Sequence, residues 1–310
     1  MNLNQPMHRN MKIIKWVIGI ALLFLGCKSG TKETSSNSVL PPKKSLQLNI
    51  SILLDLSDRI DTIKYPAIPQ FYQKDIQDIS SIARIFKSKI EPKKIFDLKD
   101  KLNVYFHPLP KDTAILNVAS KLKVDLAGKG KEEISKIYEN VENIFSENSN
   151  KLYQLVIKTS GEFDKFPGSN IWRFMKDEVL SKCIDGDSTF RNVLVIITDG
   201  YMFWSNDQRN EGNRYNYIER EYQHLKKFRN SKALLNFEKD GYGFIPVQNN
   251  LSNLEILVLE IAPPDSHPED YDILKKYWDN WFKEMRVKRY QIVKTDLPVN
   301  TEKSIKNFFD

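Results

Sequence analysis

The sequence predicts a doubly wound α/β domain: a mostly parallel sheet with helices on both faces. Three observations lead there. Ile50, Ile52, Leu53 and Leu54 form a short apolar run of strand length and Val193 to Ile197 a continuous one, as expected of strands buried on both faces. Each run stops abruptly in polar residues, Asp55-Leu56-Ser57-Asp58-Arg59 in one case and Thr198-Asp199-Gly200 in the other. Segments with apolar residues at helical spacing separate the strand-like runs, and strands alternating with helices indicate parallel strands joined by crossover helices.

Taken in order, the first strand is expected at about 47–55. Ile76, Ile79, Ile82, Ala83, Phe86 and Ile90 recur on one face and predict a helix at about 70–90. Leu102 to His107 and Lys121 to Leu126 alternate as strands, bracketed by Pro108, Pro110 and Gly128, and read as a hairpin-like pair at a sheet edge. Ile134, Ile137, Tyr138, Val141, Ile144 and Phe145 mark a helix at about 131–147, and Lys151 to Lys158 fits strand or helix equally. Ile171, Phe174, Met175 and Val179 open another helix, with Ser169 or Asn170 as its N-cap. The central strand at 192–198 is followed by an irregular insertion at about 201–252, with a helix expected near 214–230 and a glycine-bearing loop at 241–244. A buried strand at 254–261, an amphipathic helix carrying Tyr271, Leu274, Trp278, Trp281, Phe282 and Met285, a strand at 289–293 and a helix at 301–309 complete the chain. No repeat or later linker interrupts this stretch, so 47–310 is read as one domain.

The N-terminal part reads differently. Lys12 and Lys15 precede an apolar run from Trp16 to Leu25, then Gly26 and Cys27. That run is shorter than the roughly 20 apolar residues a bilayer requires, and it matches a signal-peptide core. Leu25-Gly26-Cys27 resembles a bacterial lipoprotein signal, in which the cysteine carries the lipid. Residues 1–27 are therefore expected to be a signal peptide, with Cys27 as the membrane anchor and the body in the cell envelope, facing the periplasm or the exterior. Residues 28–46 are rich in Ser, Thr, Lys and Pro without apolar period, and read as a tether. The body has one cysteine, Cys183, so no disulfide can form within it, and its helical setting suggests a buried apolar role.

The formal charge of +7 over 310 residues comes from scattered lysines, and no block resembles a nucleic-acid arm. His8, His107, His224 and His267 are isolated, without zinc-ligand spacing. What remains is the pair of strand ends. Parallel strands ending in aspartate can aim both carboxylates at one point on the carboxyl edge, where open α/β sheets bind ligands. Asp55, Ser57 and Asp199 are hard oxygen donors of the kind Mg²⁺ or Ca²⁺ prefers.

At these residues the chain resembles the von Willebrand factor A-type domain, a Rossmann-like fold. In that family Asp-x-Ser-x-Ser after the first strand, a threonine before the third helix and an aspartate after the fourth strand form a metal-ion-dependent adhesion site. The resemblance implies metal ligation, with Mg²⁺ as the expected ion, by Asp55, Ser57 and Asp199. Ser169 stands in for the threonine, and Thr159 is the second candidate. Arg59 occupies the place of the second serine, where its fixed charge would repel a cation or pair with Asp55 or Asp199 in its stead. Asp58 and Asp61 could add carboxylates in compensation. Metal binding, ion pairing with Arg59 and plain strand-end capping are thus all open for Asp55 and Asp199. Tyr201, Phe203 and Trp204 follow Asp199 directly and are expected either on the rim of the same face, where aromatics favour protein recognition, or packed beneath the insertion.

With no evident nucleophile and no phosphate loop, the expected function is that of a membrane-anchored binding or scaffold module with a protein ligand, and not of an enzyme. A metal-dependent hydrolase using Asp55 and Asp199, with Asp58 or Glu162 as base, is one alternative. A structural envelope protein with a vestigial site is the other.

Overall fold

A computed structural model describes residues 46–310 apart from 164, 222 and 230, and their side chains apart from those of 162, 163, 224, 231 and 233. The expected signal peptide, tether and lipidation site at Cys27 lie outside the described residues, as do the side chains of Glu162 and His224. No described helix is long and apolar enough to cross a membrane.

The chain runs β1 (Gln47–Leu54), α1 (Phe71–Ile90), β2 (Lys101–Phe106), α2 (Thr113–Ala119), β3 (Lys123–Asp125), α3 (Lys131–Phe163), α4 (Ile171–Asp177), α5 (Val179–Cys183) and β4 (Phe190–Ile197). The insertion follows with β5 (Asn210–Glu211), β6 (Arg214–Tyr215), α6 (Gln223–Phe228), α7 (Ser231–Leu235) and β7 (Gly243–Phe244). Then come β8 (Leu254–Ile261), α8 (Asp270–Glu284), β9 (Arg289–Lys294) and α9 (Pro298–Phe309). The main sheet has the order β3-β2-β1-β4-β8-β9, and β3 alone in it is antiparallel to its neighbour.

Each central strand is apolar on both faces because each face has its own core. Ile50, Ile52 and Leu54 of β1 join Val193, Val195 and Ile197 of β4 against α1, α3 and α9. Leu53, Leu194, Ile196, Ile256 and Val258 point the other way, onto α4, α8 and the insertion. Trp278, Trp281 and Phe282 of α8 are fully buried there, and so is Cys183. The doubly wound α/β class read from the sequence is thus the observed one.

Several elements differ from expectation. Residues 151–158 are neither a strand nor a separate helix but the continuation of α3, whose buried Leu152, Tyr153 and Val156 extend the stripe begun by Val141 and Phe145. β2 and β3 pair antiparallel as expected, yet α2 connects them in place of a tight turn. The helix expected at 214–230 is reduced to 223–228, because the chain around Gly212 first turns back in the β5–β6 pair. Phe244 in the glycine-bearing loop packs edge-on against Trp281, which holds the insertion on α8.

The direction in which the sheet grows reverses between β1 and β4, which are themselves parallel. From β1 the sheet grows through β2 to β3, and from β4 it grows the opposite way through β8 to β9. A crevice opens at such a switch point, outside the carboxyl ends of the strands. Register fixes what lies there: Leu54 pairs with Ile197, so Asp55 emerges beside Thr198 and Asp199. Gly200 then turns the chain with φ +95°, a left-handed conformation that a side chain resists, and a Cβ there would lie 2.9 Å from Cδ1 of Ile261. Its carbonyl accepts a hydrogen bond from Nε1 of Trp278 at 3.0 Å. Gly200→Ala is expected to destabilise the protein by about 1–3 kcal/mol. Urea unfolding measures this, and an unchanged midpoint would show that the turn after Asp199 is not conformationally constrained.

Candidate functional site

Both strand-end aspartates are buried, and their oxygens are committed. Asp55 Oδ1 accepts from the backbone N–H of Ser57 at 2.9 Å, and Oδ2 accepts from the Thr198 hydroxyl at 2.7 Å. Asp199 Oδ1 accepts from the backbone N–H of Tyr201 at 3.0 Å. These bonds tie the β1 and β4 ends to each other and set the loops that follow. Ser57 precedes a single turn of 3₁₀ helix, Asp58–Ile60, and lines a cleft of about 490 Å³ together with Asp199, Tyr201, Phe203, Trp204 and Arg220.

The third predicted loop also arrives here. The N–H of Gly168 donates to the Leu56 carbonyl at 3.3 Å, which lays residues 168–169 against the Asp55 loop. Ser169 is buried, and its hydroxyl has no hydrogen-bond partner among the described residues. Thr159, the second candidate for this place, is excluded: it sits within α3 and donates to Asp112 at 3.3 Å. Asn170, not Ser169, caps α4, its Oδ1 accepting from the Arg173 N–H at 2.9 Å.

Arg59 turns inward. Its side chain is 1% exposed, its Nη2 donates to Asp75 Oδ2, and its Nε donates to the Asp55 carbonyl at 3.3 Å. The same Nε lies 3.8 Å from Asp55 Oδ2, so the expected pairing with Asp55 is present but secondary. Its main partner, Asp75 on α1, also accepts from the Tyr153 hydroxyl at 2.7 Å. Burial alone would lower the Arg59 pKa, but the carboxylates of Asp75 and Asp55 outweigh it and hold the pKa above its ordinary value. Asp75 itself is pushed up to about 6, because burial outweighs the opposing effects of Arg59 and Tyr153.

The other strand-end carboxylate belongs to a different arginine. Arg220, from the insertion, donates through Nη2 at 2.9 Å and Nε at 3.3 Å to Asp199 Oδ2. Its guanidinium carbon lies 4.5 Å from the Tyr65 ring centre and 5.2 Å from that of Tyr201. Burial raises the Asp199 pKa, with Arg220 opposing the rise and Asp55 adding to it. Arg220 was not legible as a site residue in the sequence; a charged residue inside an irregular insertion carries no spacing signal. Asp58 pairs with Lys64, while Asp61 accepts from the backbone of Ile63 and Lys64, so neither adds a carboxylate to Asp55. Tyr201 is not an exposed rim aromatic: it is 5% exposed, with its ring against Arg220. Phe203 and Trp204 are half-buried and do line the cleft.

This donor set, as arranged, does not suit a divalent cation. Such an ion would have to displace Arg220 from Asp199 and would sit close to the sealed charge of Arg59. Like charges at that range in a buried setting repel strongly. Among the described residues no three His, Cys, Asp or Glu side chains gather to hold a metal.

No family model matches the chain, and no curated protein matches it. Among solved structures it is similar to an aerotolerance-related membrane protein from Bacteroides fragilis NCTC 9343 bearing multiple mutations to serines. The match has 13% identity and a TM-score of 0.34, and it covers 85% of this chain and 98% of that one. A likeness of that degree carries no argument about the site.

The geometry around Arg59 makes a definite demand. Arg59→Met leaves Asp75 and Asp55 buried without their cation, a loss worth about 3–5 kcal/mol when one member of a buried pair is removed. Adding Asp75→Asn to that variant removes one of the orphaned charges and should restore part of the stability. Denaturant unfolding of the two variants checks this, and a double variant no more stable than the single would show that Asp75 is not the partner that matters.

Proposed function

We propose that this chain is a membrane-anchored, extracytoplasmic binding or scaffold module of von Willebrand factor A type, which recognises a protein ligand at the cleft beside Asp199. The observation that carries the reading is the cleft at the switch point, where Ser57 and Asp199 meet the half-buried rings of Phe203 and Trp204. Aromatic side chains on a partly solvated rim supply contact area at low entropic cost, as protein-recognition surfaces do. The family type is supported by the strand order, the antiparallel edge strand β3, and the convergence of the Asp55, Ser169 and Asp199 loops. Anchoring is supported by the short apolar run before Gly26 and Cys27. In this reading the cation of the family's adhesion site is replaced by guanidinium groups, Arg59 below Asp55 and Arg220 on Asp199.

A binding role fits better than hydrolysis because the acid–base groups of the site are already engaged. Asp55 accepts hydrogen bonds on both oxygens and Asp58 is paired with Lys64, so neither offers a free base to a water.

The test is chemical cross-linking of the full chain in its own envelope, followed by fractionation. Wild type should form a discrete cross-linked species in the membrane fraction. The Phe203→Ala/Trp204→Ala variant should lose it while keeping its fold. Cys27→Ala should leave the body in the soluble fraction or as an uncleaved precursor. A cross-link indifferent to the aromatic pair would remove the cleft from the reading, and unchanged mass and membrane attachment of Cys27→Ala would remove the lipid.

A further inference from the structure

Arg220 reaches the site from a segment outside the strands that build it. It lies between β6 and α6, on a stretch tied back to the strand-end loop by the Met202–Ile218 bridge, with N···O distances of 3.0 and 2.8 Å. The groups that hold its side chain come from other segments: Asp199 after β4, Tyr201 after Gly200, and Tyr65 in the loop before α1. Together they make a carboxylate floor with an aromatic ring at 4.5 Å and another at 5.2 Å from the guanidinium carbon. Two N–H groups fall on one carboxylate oxygen, at 2.9 and 3.3 Å. This set recognises a flat, delocalised cation, and a compact ammonium could not satisfy it in the same way.

Arg59 and Arg220 differ in accessibility. Arg59 is sealed at 1% exposure beneath the loops, whereas the Arg220 side chain is 15% exposed and lines the cleft. The remaining charges favour a cation in the same place. Asp61, Glu219 and Glu221 line the cleft and form no ion pair among the described residues, against Lys165 as the basic residue similarly unpaired. Burial raises the Glu219 carboxyl pKa, as expected of an acid without a counter-ion. An anionic ligand would enter against these groups.

We propose that the floor of the cleft is a guanidinium site which Arg220 fills from within the chain, and that the protein ligand presents an arginine side chain that takes Arg220's place on Asp199. The chain's own arginine is then a built-in competitor: the site is open only in the fraction of molecules whose Arg220 has swung out, and apparent affinity falls by that fraction. It also keeps Asp199 paired when no partner is present, avoiding a buried lone carboxylate. The inference rests on the cleft being the ligand site, and it names the chemistry that the site accepts.

The experiment uses the full chain in detergent, with methylguanidinium and N-acetyl-arginine amide as probes, and methylammonium, N-acetyl-lysine amide and Mg²⁺ as controls. In Arg220→Ala, millimolar methylguanidinium should raise the melting midpoint, with methylammonium giving no comparable rise and wild type unmoved. N-acetyl-arginine amide should bind Arg220→Ala at least about tenfold more tightly than wild type, since the internal competitor is gone. Arg220→Lys keeps a positive charge on Asp199 and serves if the alanine variant does not fold; it should still respond to methylguanidinium. Adding Tyr65→Ala to either variant should weaken the response. Absence of a guanidinium response in both Arg220 variants would overturn the proposal. A larger response to Mg²⁺ than to methylguanidinium would also overturn it, and would assign Asp199 to a metal. Either failure alongside an intact Phe203- and Trp204-dependent cross-link would sink the arginine ligand alone. Loss of that dependence would sink the cleft itself.

Discussion

A guanidinium enclosed between two aspartates is the constraint on which this molecule turns. Arg59 carries its charge to the carboxyl edge of β1 and is almost wholly removed from water. Solvation no longer stabilises that charge, so position does: Asp75 from α1 and Asp55 from β1 must both stand where they do, or the charge is left uncompensated. The Tyr153 hydroxyl on Asp75 extends the tie to α3. One ionic contact therefore fixes how the first strand, the first helix and the long third helix meet at the end of the sheet where the cleft lies.

Buried acid outnumbers buried base around that contact, and the backbone shows the consequence. Asp78 and Glu260 stand near Asp75, and burial together with Glu260 and Asp75 pushes the Asp78 pKa well up. Glu260 sits at a register shift in β8 with φ 68°, a conformation costly for a residue other than glycine. The bulge turns its carboxylate towards α9, where it accepts from the Thr301 hydroxyl at 3.0 Å, and Lys74 lies 3.7 Å away. The left-handed position thus brings the buried carboxylate to a hydroxyl and an ammonium partner. Arg220 in turn neutralises Asp199, at the cleft surface and from a segment outside the sheet.

The parts legible in the sequence were those encoded by local pattern. Apolar runs with polar stops located β1 and β4, and with them Asp55, Ser57 and Asp199; helical spacing located α1 and α8. The placement of Ser169 beside the Asp55 loop followed from the resemblance, not from any local signal. Lys151 to Lys158 stayed ambiguous because a short apolar run has no period of its own, and tertiary contact with the preceding stripe decided for helix. Arg59 was visible as an anomaly at the second serine position, yet its partner was not, since Asp75 is one acid among several on a helix and the pairing is set by the crossing of α1 over β1. Arg220 was invisible for a related reason: the insertion has weak periodicity, and what its residues touch depends on how the β5–β6 turn folds back. For Tyr201 the sequence left the rim and packing beneath the insertion both open; after the left-handed turn at Gly200 it is buried with its ring against Arg220.

The proposed replacement of a cation by guanidinium groups rests on Arg220 holding the Asp199 carboxylate and on Arg59 lying 3.8 Å from that of Asp55. Its most direct test is a set of thermal melts of wild type in the presence of Mg²⁺ and in the presence of chelator, repeated on a variant carrying Arg59→Ser and Arg220→Ser together. Wild-type midpoints are expected to coincide in the two conditions. The variant is expected to be destabilised and to be raised by Mg²⁺ through mass action, by roughly 2.7 kcal/mol at one hundred times its dissociation constant. A wild-type midpoint that falls on chelation and recovers with Mg²⁺, by no less than the variant gains, would contradict the replacement.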